Sequence, residues 1–210
     1  MKLKALQSLM QDIAVFSDPK VDLEQYPTGP HLASRLLFTV DNAYNEFEGK
    51  VVVDLGCGTG MLGIGAAMLG SPHVIGVDID DDALQTAQEN CQQYEDLQID
   101  FVQADISQLE RQAISLWADV VVMNPPFGTR RKGADLEFLR AAFQISKGTV
   151  YSLHKSSTRQ YLQNFAVQQL KARSAEVLAQ LRYDLPPTFV FHKQKSKDIE
   201  VDLWRFEVPV

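Results

Sequence analysis

The sequence predicts an α/β fold built on a doubly wound, mostly parallel sheet, and three observations carry that expectation. Strand-like and helix-like segments alternate from about residue 50 onward. Gly56, Gly58 and Gly60 lie between the first strand of this region and its first helix. The chain closes on two β-rich segments with no helix pattern between them. Such alternation builds βαβ units, whose crossovers put helices on both faces and leave a ligand crevice at the carboxyl ends of the strands.

Two helix-like stretches open the chain, at 3–15 and 31–44. Between them runs Leu23-Glu24-Gln25-Tyr26-Pro27-Thr28-Gly29-Pro30, whose prolines and glycine forbid helix and favour an ordered loop. The apolar run 51–55 is the first strand, and the small apolar residues of 61–69 suit a helix lying close on a sheet. A second strand at 73–79 leads to a helix over 81–94, with acidic residues in its first turn where they complement the helix dipole. Strands are predicted at 99–103 and 118–123, a helix at 136–145, a strand at 149–153 and a helix at 158–171. Segments 175–183 and 199–206 then pair antiparallel at the sheet's end, giving seven strands with the last antiparallel. Residues 1–48 read as a helical extension with a closing loop, and 49–210 as the core of the same single domain.

Composition narrows the class. No apolar run approaches the roughly 20 residues that span a bilayer, so no membrane association is expected. The first residues lack a signal peptide's apolar centre. Cys57 and Cys91 are the only cysteines, too few for a disulfide framework, and no Cys/His cluster suggests a metal; an intracellular, reducing compartment is expected. The net charge of -7 argues against a nucleic-acid partner until its distribution is read. Residues 1–127 hold 6 Lys/Arg against 19 Asp/Glu, whereas residues 128–210 hold 14 against 8, which suggests a basic face on an acidic body.

A cofactor site is predicted after the first strand. Glycine there permits a tight turn and close approach of a ligand to the backbone. Three acids favour S-adenosylmethionine over a dinucleotide. Asp54 directly precedes the turn, where an anion repels pyrophosphate but suits a cationic methionyl group. Asp78 ends the second strand, placed to accept from ribose hydroxyls. Asp105 and Ile106 follow the third strand, placed to hold an adenine amine and cover its ring. Asp80, Asp81 and Asp82 read as a helix start, and Cys57 as a small buried residue rather than a nucleophile.

The fourth strand runs into Asn124-Pro125-Pro126-Phe127. An adenine amine is conjugated and weakly nucleophilic. The Asn124 side-chain oxygen and the Pro125 carbonyl can hold its hydrogens and expose the lone pair. The prolines Pro125 and Pro126 pre-set the backbone, and Phe127 can stack on a flipped or single-stranded base.

The chain resembles the class I S-adenosylmethionine-dependent amino-methyltransferases, whose Rossmann-like sheet ends in an antiparallel pair. Within them it resembles the methyltransferase-like protein 5 family. The resemblance covers nearly the whole chain. It is carried by Leu23-Glu24-Gln25-Tyr26-Pro27-Thr28, by Met123-Asn124-Pro125-Pro126-Phe127-Gly128-Thr129, by the stretch from Val150 to Arg159, and by Glu200-Val201-Asp202-Leu203. It implies N6-methylation of one adenosine in small-subunit (18S) ribosomal RNA, in the nucleus and cytoplasm. It also implies a heterodimer with a small zinc-binding methyltransferase activator subunit. By position it implies that Gln25 and Thr28 close over the cofactor, that Gly56, Thr59 and Met61 line its methionyl end, and that Asp78 holds its ribose and Asp105 and Ile106 its adenine; Gly58 belongs to the cofactor site through the glycine turn.

Three basic stretches can surround the site: Arg130-Arg131-Lys132; Lys155 with Arg159; and Lys193 with Lys195, near Phe189 and Phe191. Basic residues among aromatics suit single-stranded RNA, while each stretch alone also reads as a solvated loop. His154 reads equally as structural. Two other functions stay open on sequence: methylation of a protein glutamine amide, as in release factors, and a non-catalytic ribosome-assembly scaffold.

Overall fold

The computed structural model describes residues 1–110, 115–185 and 197–209. Its core is one seven-stranded sheet: β1 (Val51–Leu55), β2 (His73–Asp78), β3 (Ile99–Gln103), β4 (Ala118–Met123), β5 (Ser146–Lys155), β6 (Ser174–Leu185) and β7 (Lys197–Glu207). The order across it is β3-β2-β1-β4-β5-β7-β6. Pairs from β3 through β5 are parallel, and β7 runs antiparallel to both β5 and β6. The predicted class holds. Strand order reverses between β1 and β4, so their carboxyl ends open a crevice at that point.

Both sheet faces are apolar because strand side chains alternate. Val52, Val120, Val122, Val201 and Leu203 face one core, which is closed by α1 (Leu3–Met10), α2 (Pro30–Tyr44) and α3 (Met61–Met68). Val53, Val121, Met123, Trp204 and Phe206 face the other, closed by α5 (Ile106–Glu110), α6 (Ala134–Ile145) and α7 (Arg159–Gln168). In that second core the Trp204 and Phe206 rings stack 5.2 Å apart. Truncating either to alanine would cost about 3–5 kcal/mol. The N-terminal extension is part of the first core: Leu6, Met10 and Leu37 are fully buried in it. Gly65 lets these helices meet, since a Cβ there would lie 2.4 Å from Leu37.

Several boundaries and one element differ from the sequence expectation. The first helix ends at Met10 rather than residue 15, because Ala14 leaves it to make two backbone hydrogen bonds with the Asn90 amide, each 2.9 Å. α4 (Asp81–Cys91) stops three residues early. The short α5 was not predicted, being too brief to show a period. No helix among the described residues is long and apolar enough to cross a membrane.

Candidate active site

The crevice is a cavity of about 360 Å³, the size of a small-molecule site. The loops after β1, β2, β3 and β4 form its floor, and residues 15–16 and 22–28 form its roof. The turn after β1 starts with the Gly56 and Cys57 N–H groups bonded to the Val77 carbonyl, at 2.8 and 3.0 Å. Gly58 has φ +53°, and a Cβ there would sit 2.7 Å from the Phe16 ring, so only glycine fits under that lid.

Asp54 is buried. Its Oδ2 accepts the Gly63 N–H at 2.7 Å, and its Oδ1 has no partner among the described residues. Burial, opposed by the Gly63 bond and reinforced by Asp78, pushes its pKa up to about 7. A buried carboxylate oxygen of this kind on a cavity wall fits a cationic ligand group. Asp78 lines the cavity and accepts the Gly58 and Asp80 N–H groups at 2.8 and 3.0 Å; burial raises its pKa too. Asp105 accepts the Ser107 N–H at 2.8 Å, with Ile106 beside it on the wall. Thr59 and Met61 also line the cavity. Burial drives the Cys57 thiol well above its ordinary pKa, which fits the small-residue reading and not a nucleophile.

The roof is tied down by specific contacts. Asp80 caps α4 through the Asp82 N–H at 3.3 Å, the helix-start role read for it. It also pairs with Lys20 and accepts the Gln25 amide at 2.6 Å. Burial works against its ionisation, but these two donors hold its carboxyl below the ordinary value. The Gln25 amide is therefore engaged by Asp80 and by the Lys20 N–H, and it faces the cavity only as part of the roof. Glu24 adopts φ +53°, strained for a non-glycine residue. Its Oε1 accepts the Arg130 N–H at 2.7 Å, which joins the roof to the loop after β4.

That loop carries the second half of the site. Asn124 and Pro126 line the cavity. The Asn124 Nδ2 donates to Thr28 Oγ1 at 2.8 Å and to the Tyr183 hydroxyl at 3.2 Å, and its buried Oδ1 has no partner among the described residues. Pro125 and Phe127 are buried behind it. The Phe127 ring stacks on Tyr26 at 6.4 Å and meets Tyr183 edge-on at 5.7 Å, so it does not border the cavity as the sequence suggested. Aromatic burial outcompetes exposure for so large a ring.

The basic residues divide. Arg130, Arg131 and Lys132 are exposed; Arg131 borders the cavity and pairs with Glu137 at 2.5 Å. Lys155 is half-buried. Arg159 grips Asp202, a fully buried carboxylate, through two hydrogen bonds of 2.7 and 2.6 Å. That pair gives Arg159 a structural contact, and its side chain stays 45% exposed. Lys193 and Lys195 lie outside the described residues. His154 is buried, with its Nε2 2.8 Å from Ser152 Oγ, as a structural histidine would be. Sequence reasoning missed Phe16, Glu24, Phe138 and Tyr183. The first and third read as ordinary core residues, and Tyr183 as one position of an alternating strand.

A family model for ribosomal protein L11 methyltransferase (PrmA) matches residues 25–125, the cofactor half. The zebrafish rRNA N(6)-adenosine-methyltransferase METTL5 is 46% identical over 98% of this chain and 99% of its own. The Drosophila melanogaster protein of the same name is 44% identical over 99% and 97%. A crystal structure of a candidate RNA methyltransferase from Pyrococcus horikoshii superposes with a TM-score of 0.83 at 34% identity, covering 100% of this chain and 98% of that one.

Proposed function

The chain belongs to the family of rRNA N(6)-adenosine-methyltransferases, and from that premise we propose that it methylates the exocyclic amine of an adenosine in small-subunit (18S) ribosomal RNA, using S-adenosylmethionine. One observation supports this reading above the others: the Asn124 Oδ1, a buried acceptor on the cavity wall with no partner among the described residues.

The cofactor supplies an electrophilic methyl group when bound. Asp54 Oδ1 takes its ammonium, Asp78 its ribose, and Asp105 with Ile106 its adenine, while Gln25 and Thr28 hold the roof over it. Asn124 Oδ1 and the Pro125 carbonyl accept the two hydrogens of the target amine. The nitrogen is drawn toward tetrahedral geometry, and its lone pair is aimed for in-line displacement. Pro125 and Pro126 keep both acceptors in place before the base arrives. The methylated nitrogen sheds its proton readily, so no strong base is required. An extruded adenosine stacks on Phe127 by displacing Tyr26.

Arg130, Arg131, Lys132 and Lys155 approach phosphates, and Lys193 and Lys195 add to the basic charge of the carboxyl-terminal half of the sequence. Residues 1–210 act as one domain. The heterodimer partner, a small zinc-binding activator subunit, covers a sheet edge; β3 and β6 are the two edge strands of this sheet. Such a complex works on ribosomal RNA in the nucleus and cytoplasm. A second reading, methyl transfer to a protein, draws on the L11 methyltransferase match, but that match stops at Pro125, before the rest of the amine-gripping loop.

The test is radiolabelled methyl transfer to ribosomal RNA and to release factors, with parent and Asn124→Ala proteins. Transfer to RNA should fall by about 2.7–4 kcal/mol of transition-state stabilisation, a hundred- to a thousandfold, with cofactor binding retained. Near-parental transfer by the variant, or transfer to protein alone, would sink the reading.

A further inference from the structure

An asparagine can turn either end of its amide to a bound base, and only one end grips an amine: the oxygen accepts its hydrogens, whereas the NH2 group meets them donor to donor. We infer that Tyr183, on the edge strand β6, is the positioning residue that fixes this choice; the inference rests on the amine-gripping reading above.

The Tyr183 side chain is buried and its hydroxyl carries a single proton. That proton goes to the Pro27 carbonyl at 3.0 Å, with the Tyr26 carbonyl 3.3 Å away. Burial pushes the phenol pKa up to about 12, so the proton stays in place at neutral pH. Toward Asn124 the hydroxyl therefore offers only lone pairs, and at 3.2 Å it receives the Nδ2. A flipped amide would place oxygen against oxygen there. Thr28 Oγ1 receives the other Nδ2 hydrogen at 2.8 Å, and a hydrogen bond to the Tyr183 hydroxyl turns its own proton away from the amide. Tyr183 sets the pattern for both acceptors, because its own proton is committed to Pro27. With both Nδ2 hydrogens engaged, Oδ1 is left as the open acceptor.

One hydroxyl thus joins three elements distant in sequence: the roof at Pro27, the loop at Asn124 and the edge strand. The arrangement predicts that closing the roof and orienting the amide are a single event.

Tyr183→Phe keeps the ring, and with it the edge-on contact with Phe127, and removes only the hydroxyl. Side-chain amide NMR on the protein without RNA reads the orientation directly. In the parent, both Asn124 amide protons should exchange with water about tenfold more slowly than those of the exposed Asn42; in the variant, one of them should lose that protection. Single-turnover methyl transfer at saturating RNA and cofactor should fall about tenfold, with KM unchanged. The NMR arm needs no catalysis, so its failure is distinct from failure of the amine-gripping reading, which Asn124→Ala tests. The proposal is overturned if a parental Asn124 proton exchanges as fast as those of Asn42, if both stay protected in the variant, or if the variant turns over at the parental rate. A defect confined to KM marks a merely structural role and overturns it as well. The parental measurement decides alone if the variant does not fold.

Discussion

Cofactor binding should weaken steeply in mild acid, and Asp54 should be the cause. Its folded pKa stands near 7 against an ordinary 3.8, raised by burial and by the nearby Asp78, against the hydrogen bond from Gly63. The sign follows from where the proton sits. Without ligand, the folded protein holds this proton up to about pH 7, while the unfolded chain loses it near pH 4; across that window this group's contribution to stability declines as pH rises. A ligand ammonium reverses the preference, since it pairs with the ionised form through the open Oδ1. Below pH 7 each unit then costs about 1.4 kcal/mol, or tenfold in affinity, so binding at about pH 5 should be roughly a hundredfold weaker than on the plateau at about pH 8. The assay is calorimetry with S-adenosylhomocysteine, which keeps the ammonium and lacks the reactive methyl, in two buffers of different ionisation enthalpy to count released protons. Asp54→Asn keeps an acceptor for the Gly63 N–H and removes the charge. Its affinity should be low and flat with pH. A flat parental profile, or a variant that keeps the parental slope, would refute the assignment; the second outcome would transfer the effect to Asp78, whose carboxyl is also raised.

Two further outcomes separate structural from RNA-facing cations. Among the described residues, Arg159→Ala leaves the buried Asp202 carboxylate with the Ser156 hydroxyl as its donor, so the melting temperature should drop while RNA affinity holds. Despite its burial, Asp202 is held below the ordinary carboxylate range by those two donors, so this stabilisation is present above that range and lost as pH falls through the folded value; acid unfolding of the variant should start at higher pH. An unchanged melting temperature with weakened RNA binding would return Arg159 to the RNA face. Replacing Arg130, Arg131 and Lys132 with alanine should weaken RNA binding and flatten its dependence on log salt by up to about 0.7 per lost contact. Equal slopes in filter-binding titrations would show that these side chains do not meet phosphate.

Local rules in the chain determined the class, the seven strands and nearly every element that positions the site. A strand alternates, a glycine turn tolerates positive φ, and Pro-Pro after a strand admits few backbones, each within a few residues. The acids that line the cavity were legible for the same reason: Asp54, Asp78 and Asp105 sit at or just past strand ends, and the parallel register brings strand ends together without further instruction. What only tertiary structure decided is how polar groups far apart in sequence find partners. Asn90 ended the first helix early through Ala14, Asp202 claimed Arg159, and Phe127 turned to Tyr26 and Tyr183. Nothing in the alternation of β6 marks Tyr183 as different from its neighbours. Its role exists because chain closure sets its one proton against Pro27 and its lone pairs against Asn124, and hydrogen-bond satisfaction in a buried site is a property of the closed fold, not of any segment.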